Sequence, residues 1–234
     1  MFSDKLLALV CFVVCMAASI GTPAAELAPD QIPMYGGLDR QSNPVLRAAD
    51  EAFIAGITRE FGSRRAASER AVDQGFRYYF QNDIAAAMRR FNQGWLLDHD
   101  NPDVYCGFMA VLNDRQEFCS AREMVERAFG LGLRRKAEEL ADAGRVHAIC
   151  TVQDKTLDDN TRAAYIEKSS EYYTEALKLQ PNSAYVYGSW ATASFWLGDY
   201  ASAWRYVKLA RQYGGTPGKR FLEMLEAKMP EPQS

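Results

Sequence analysis

Side chains able to do acid–base, nucleophilic or metal chemistry are few in this chain, and they are scattered. Its 234 residues include two histidines and five cysteines. His99 stands between two carboxylates in Asp98-His99-Asp100. That grouping can hold a metal ion or relay a proton, but such a run is also ordinary in a solvated turn, and the turn is the expected reading. His147 falls in AEELADAGRVHAIC, at a spacing that places it inside a helix core. Beyond residue 25 there is no His-Glu-x-x-His, no glycine-rich phosphate loop and no Cys-x-x-Cys. The sequence therefore predicts no catalytic residue, no cofactor and no metal site. The chain carries 27 Lys+Arg against 30 Asp+Glu, a net charge of −3, so it lacks the basic surface that displaces counterions from nucleic acid. Arg64-Arg65, Arg89-Arg90 and Arg134-Arg135 are dispersed pairs that read as solvated helix faces.

The first 25 residues read as an address. Lys5 precedes an uncharged run, Leu6–Ile20 (LLALVCFVVCMAASI), and the small residues of Gly21-Thr22-Pro23-Ala24-Ala25 follow. A charged start, a short apolar run and a small-residue site make a secretory signal. Cleavage is expected near Ala24 or Ala25, which would deliver the chain to a bacterial periplasm with no membrane span. The alternative is a retained N-terminal anchor. Against it, fifteen helical residues reach only about 22 Å of a ~30 Å hydrocarbon core.

What must position the remaining residues is a repeat. When Ser68–Asn101 is written above Pro102–Arg135, Gly75 falls over Met109, Ala87 over Ala121, Phe91 over Val125 and Gly94 over Ala128, each 34 residues apart. Ala184–Pro217 fits the same frame through Tyr187, Trp190, Ala191, Gly198, Asp199, Ala203, Val207 and Ala210. Small residues at the eighth and twentieth positions let paired helices approach closely, and large ones fill the space beside them. Asn82-Asp83 and Gly198-Asp199 supply the turns, with each aspartate placed to cap the next helix. This period and pattern resemble the tetratricopeptide repeat (TPR) family. The resemblance implies an all-α fold, a TPR-like α-solenoid of about four helix–turn–helix repeats with capping helices at both ends.

A third repeat is split. Leu140, Ala143, Gly144 and His147 match its first helix, and Ser169, Tyr173, Ala176 and Pro181 match its second. The extra residues lie about 151–163 and are expected to form longer helices plus a protruding polar loop. Other departures are Ala71 and Gln74 where the first repeat should be large, and Met109 where the second should be small. The expected organisation is a signal at 1–25 and an extended arm at 26–43. A capping helix and linker then occupy 44–67, the array 68–215, and a capping helix and tail 216–234.

The frame also orders the cysteines left after the leader, Cys106, Cys119 and Cys150. The second helix of repeat 2 and the first of repeat 3 should turn near Leu133–Lys136. Cys119 and Cys150 flank that turn evenly, whereas Cys106 and Cys119 do not flank their own turn. In an oxidising compartment Cys119–Cys150 is the expected bridge. Three reduced thiols are the alternative.

The resemblance implies that first helices line a concave face. The residues it assigns there are Val72, Phe76, Tyr79 and Phe80 in repeat 1, Ala110 and Asn113 in repeat 2, Arg145 in repeat 3, and Tyr185, Thr192, Phe195 and Trp196 in repeat 4. Some family members clamp a terminal carboxylate with Lys and Asn. Here those positions hold Val72 and Phe76, then Cys106 and Ala110, and only Arg145 is left as an anion contact. The function expected is a non-enzymatic periplasmic scaffold that binds a protein or peptide partner on aromatic residues, as in envelope or secretion-system assembly. The alternative is a self-associating accessory protein whose groove is filled by its own arm, around Tyr35-Gly36-Gly37.

Overall fold

Residues 27–233 are described by a computed structural model, which places ten α-helices and no strand among them. In chain order these are α1 (Pro44–Phe61), α2 (Arg64–Phe80), α3 (Ile84–Leu97), α4 (Pro102–Asp114) and α5 (Phe118–Gly130). They continue as α6 (Ala137–Gln153), α7 (Asp159–Leu179), α8 (Ala184–Trp196), α9 (Tyr200–Gln212) and α10 (Lys219–Glu226). The signal and its cleavage site lie outside the described residues. Among those residues, no helix is long and apolar enough to cross a membrane.

The helix boundaries follow from local chemistry. Side chains of Asn43, Ser63, Asp83, Asn101, Asp158, Ser183 and Asp199 each accept a backbone N–H in the first turn of the helix that follows. Asp83 and Asp199 are the caps the sequence predicted. Helix α5 lacks such a cap on its own chain segment. Gln153 of α6 substitutes for it, accepting from Phe118 N–H at 3.0 Å and donating to the Gln116 carbonyl at 2.6 Å.

Helices pair as α2/α3, α4/α5, α6/α7 and α8/α9, and successive pairs stack in chain order. The pairing is a matter of volume. Phe91 of α3 is fully buried, and a Cβ on Gly75 of α2 would come within 2.4 Å of its ring. The same would hold at 2.4 Å for Gly107 of α4, so one phenyl ring fills a slot that two glycines open. In the third pair, Gly144 makes room for Tyr173. The second pair inverts the arrangement. Met109 occupies the small position, and the residue in the ring position is the smaller Val125, within the same apolar cluster. The departure at Met109 is thus a compensated swap of volumes. The first pair's departure has a similar explanation, because Phe53, Ile54 and Ile57 of α1 pack onto Ala67, Ala71 and Leu97. The capping helix supplies the bulk that Ala71 lacks.

Two expectations, the linker and the arm in the groove, need correction. Gly62 ends α1 in the left-handed conformation (φ 81°), and Ser63 caps α2 at once, so residues 64–67 begin the array and are not a linker. The extra residues of the third repeat do lengthen its helices, as expected: they extend α6 and α7 into a taller hairpin, and the polar loop is the short turn Asp154–Asp158. Arg162 makes that turn compact by donating to the carbonyls of Thr151, Asp154 and Leu157. The arm does not fold into the concave face. Two 3-10 turns, Pro29–Gln31 and Pro33–Gly37, lie on the outer helix α3. There the fully buried Asn92 accepts from Tyr35 N–H at 2.9 Å and donates to the Ile32 carbonyl at 2.8 Å. Arg40 then grips Asp50 of α1 at 2.7 Å and 2.5 Å. Asn92 needs the arm's backbone to satisfy its buried amide, which fixes the arm outside the groove.

The seam between the second and third pairs is made by α5 against α6. The Cys119–Cys150 disulfide crosses it, as the sequence predicted, and Cys106 is the free thiol among the described residues. His147 is a buried core histidine. Its Nδ1 lies 2.8 Å from the Ala143 carbonyl and its Nε2 lies 3.1 Å from Glu126 of α5. Tyr172 of α7 donates to the same carboxylate oxygen at 2.6 Å. The hydrogen bond from His147, helped by Tyr172 against partial burial, lowers the Glu126 pKa to about 2.

Candidate functional site

The inner helices α2, α4, α6 and α8 meet along one face, and the side chains there fall into two groups. The first is a polar bridge over the middle of the face. Arg145 of α6 pairs with Asp142 at 2.7 Å and reaches Ser189 of α8 at 3.3 Å and Asn113 of α4 at 3.4 Å. Ser189 donates its one proton to the Ala141 carbonyl at 3.0 Å. The buried Tyr173 hydroxyl, 3.1 Å from Ser189 Oγ, is therefore the donor in that contact. Tyr185 of α8 donates to Asp142 at 2.6 Å. Burial, and then Asp142, push the Tyr185 hydroxyl up to about 12. Burial works against the Arg145 charge, but Asp142 and the nearby tyrosines outweigh it and raise its pKa. Arg145 is consequently committed within the protein. The sequence expectation of a free anion contact is corrected, because the carboxylate three residues earlier on the same helix takes the guanidinium.

The second group is aromatic. Phe80 ends α2 with 81 % of its surface exposed; its ring lies 6.3 Å from Phe76 and 5.6 Å from Tyr79. Burial, and then the Asp114 carboxylate of α4, raise the Tyr79 pKa. Tyr185 and Trp196 of α8 are 47 % and 44 % exposed. Between Tyr185, Gly188, Thr192 and the Gly215–Gly218 linker to α10 lies a recess of about 440 Å³, bordered by Phe221.

The structure divides the residues assigned to this face. Phe80, Tyr185 and Trp196 are open to solvent, while Tyr79, Asn113, Ala110 and Thr192 are partly covered. Val72 is 4 % exposed and packs into the core beneath Gly94. Phe195 is buried because Phe221 of the C-terminal cap meets it edge-on at 5.7 Å. Those two are packing residues, which corrects their assignment as contacts. Phe76 is partly buried against the core and lies edge-on to Phe91 at 5.1 Å. Sequence reasoning missed Asp142 and Ser189 because both stand at the sixth repeat position, outside the set assigned to the groove. The three-residue spacing of Asp142 and Arg145 was the available signal for the first.

The other candidate chemistry resolves into structure. The Asp98 side chain accepts from Asp100 N–H at 3.1 Å and pairs with Arg65 at 3.3 Å, as a turn residue does. His99 lies edge-on to Trp95 at 4.3 Å, its carbonyl accepts from Tyr105, and burial lowers its pKa. Burial, and then Asp103, push the Cys106 thiol up to about 12, so it stays protonated. Among the described residues, no group of three or more His, Cys, Asp or Glu side chains is placed to hold a metal ion.

No family model matches the chain, and no curated protein matches it in sequence. A solved structure described as "Functional Characterization of Pseudomonas Aeruginosa pilF" is 18% identical, over 70% of this chain and 85% of that one, with a TM-score of 0.38. A superposition at that level carries no argument. The solenoid rests on this chain's own helices.

Proposed function

We propose that this protein is a non-enzymatic scaffold that holds a protein or peptide segment along its inner face, working in the periplasm after its leader is removed. A role in assembling envelope or secretion machinery fits such a scaffold. The observation that carries the reading is Phe80, a large apolar ring left 81 % exposed at the end of an inner helix. Tyr185 and Trp196 extend it as a discontinuous aromatic strip. Exposed aromatic rings of this kind are typical anchors for a docked partner. The arm's attachment to α3 leaves the face uncovered by the chain's own residues 27–43.

The test is partner capture by crosslinking from the exported fraction. Phe80→Ala with Trp196→Ala should reduce capture at least tenfold while helicity stays unchanged, since both side chains protrude from finished helices. Undiminished capture by the double variant would exclude the inner face as the binding surface.

A further inference from the structure

The start of α5 departs from the rule that α3, α7 and α9 follow. Asp83, Asp158 and Asp199 each cap their own helix by accepting a backbone N–H from its first turn. Glu117 stands 34 residues after Asp83, at the same repeat position, and makes no such bond. Glutamate is one methylene longer than the residues that favour this place. The cap comes instead from α6, across the seam. Gln153 accepts from Phe118 N–H at 3.0 Å and donates to the Gln116 carbonyl at 2.6 Å. Gln116 is left-handed (φ 63°), a conformation uncommon for a residue with a side chain. Gln153 is the last residue of α6, which has 17 residues where the inner helices α4 and α8 have 13. The extra turn that results also carries Cys150. Cys119 meets Cys150 and Gln116 meets Gln153, a step of three residues on each antiparallel helix, so bridge and cap form one contact a single turn deep.

We propose that the Cys119–Cys150 bridge is a redox-controlled helix cap: a dithiol reductant that opens it releases Gln153 and unwinds the first turn of α5. Without the bridge, Gln153 is a long side chain at a fraying helix end, and it must give up several free rotations to hold both of its contacts. The bridge fixes the α6 turn that carries it. An aspartate at position 117 would cap α5 in either redox state, whereas Gln153 does so under the control of the bridge. The chemistry is thiol–disulfide exchange. Cys119 is partly exposed and Cys150 is buried. A thiolate of the dithiol attacks Cys119 Sγ, the bond to Cys150 breaks, and Cys150 takes up a proton. The second sulfur of the dithiol then attacks the first, and Cys119 leaves and is protonated. The protein gains two electrons and two protons, and the dithiol becomes a cyclic disulfide. Farther along the seam Glu126 meets His147 at 3.1 Å, and Ala121, Val125 and Ala128 are fully buried. Those contacts do not involve the bridge, so the release is local. The device does not depend on what the inner face binds.

The experiment is amide hydrogen exchange of the mature protein, read by mass spectrometry with and without dithiothreitol. Reduction should cut the protection of residues 117–123 about fivefold or more, as loss of a cap does. It should leave the start of α9, capped by its own Asp199, unchanged. Gln153→Ala should produce the same loss in the oxidised protein and little further loss in the reduced one. Glu117→Asp, which supplies a local cap, should make the start of α5 insensitive to reduction. The proposal is overturned if residues 117–123 keep their protection on reduction, or if every helix loosens equally, since the bridge would then staple the whole fold. It is also overturned if Gln153→Ala costs as much protection in the reduced protein as in the oxidised one, because the cap would then work without the bridge. A bridge that dithiothreitol opens only after the protein has unfolded would exclude a switch in the folded state.

Discussion

Two joints in the solenoid share one steric plan and differ in chemistry. Between the first and second pairs, the Phe91 ring sits in a slot between Gly75 and Gly107. Between the third and fourth, the Tyr173 ring sits against Gly144, and Ser189 stands at the repeat position that Gly107 holds in the other joint. Phenylalanine between glycines makes a dry contact with nothing to report outward. Tyrosine facing serine gives the slot a hydroxyl pair, and Ser189 passes it on to Arg145 and the groove. One plan for close helix approach can therefore be sealed, or wired to the surface, by adding two hydroxyl groups. The seam between these joints is different again. It is held by the disulfide and by a Glu126–His147–Tyr172 contact.

Three experiments would break or sharpen that contrast. The largest effect is expected at the seam. Cys119→Ser with Cys150→Ser should cost about 2–4 kcal/mol in chemical denaturation, because the bridge restricts a long stretch of the unfolded chain. If stability does not fall, α5–α6 packing alone holds the halves together. Next come the reciprocal exchanges. Phe91→Tyr should cost about 1–3 kcal/mol by burying a hydroxyl in a slot built for a phenyl ring. Tyr173→Phe should cost about 1 kcal/mol, since Ser189 keeps its own acceptor and the Arg145 contact. Equal costs would mean that the two joints are chemically alike after all. The smallest effect concerns acid. Glu126 has a pKa lowered to about 2 from an ordinary 4.5, so its contribution is full above about 4.5 and is lost as pH falls toward 2. Glu126→Gln should flatten the stability–pH curve in that window, read as a thermal midpoint against pH. A wild-type curve already flat there would show that Glu126 adds nothing at the seam.

Much of this architecture was legible in side-chain size. Ala87, Ala121, Ser169 and Ala203 recur at the position where paired helices touch, and all four are buried. A repeat of small and large residues specifies helix pairs because the close approach leaves room for one arrangement of volumes. Asp83 and Asp199 were legible as caps for an equally local reason. The disulfide was legible because a hairpin makes sequence distance from its turn a measure of height. The groove was less so. Repeat position alone put Val72 and Phe195 on it, yet neighbouring elements cover both. Arg145 looked free until its partners on three inner helices were in place.

What the sequence determined by itself was the helix pairing, the turns, the caps and the register of the bridge. Each of these depends on residues close in the chain or fixed in a period. The tertiary structure alone decided which side the arm takes, which aromatic rings stay open and which charges Arg145 and Asp142 spend on each other. Those properties depend on what a neighbour from a distant segment covers, and burial and Coulombic pairing act through space, where spacing along the chain no longer measures distance.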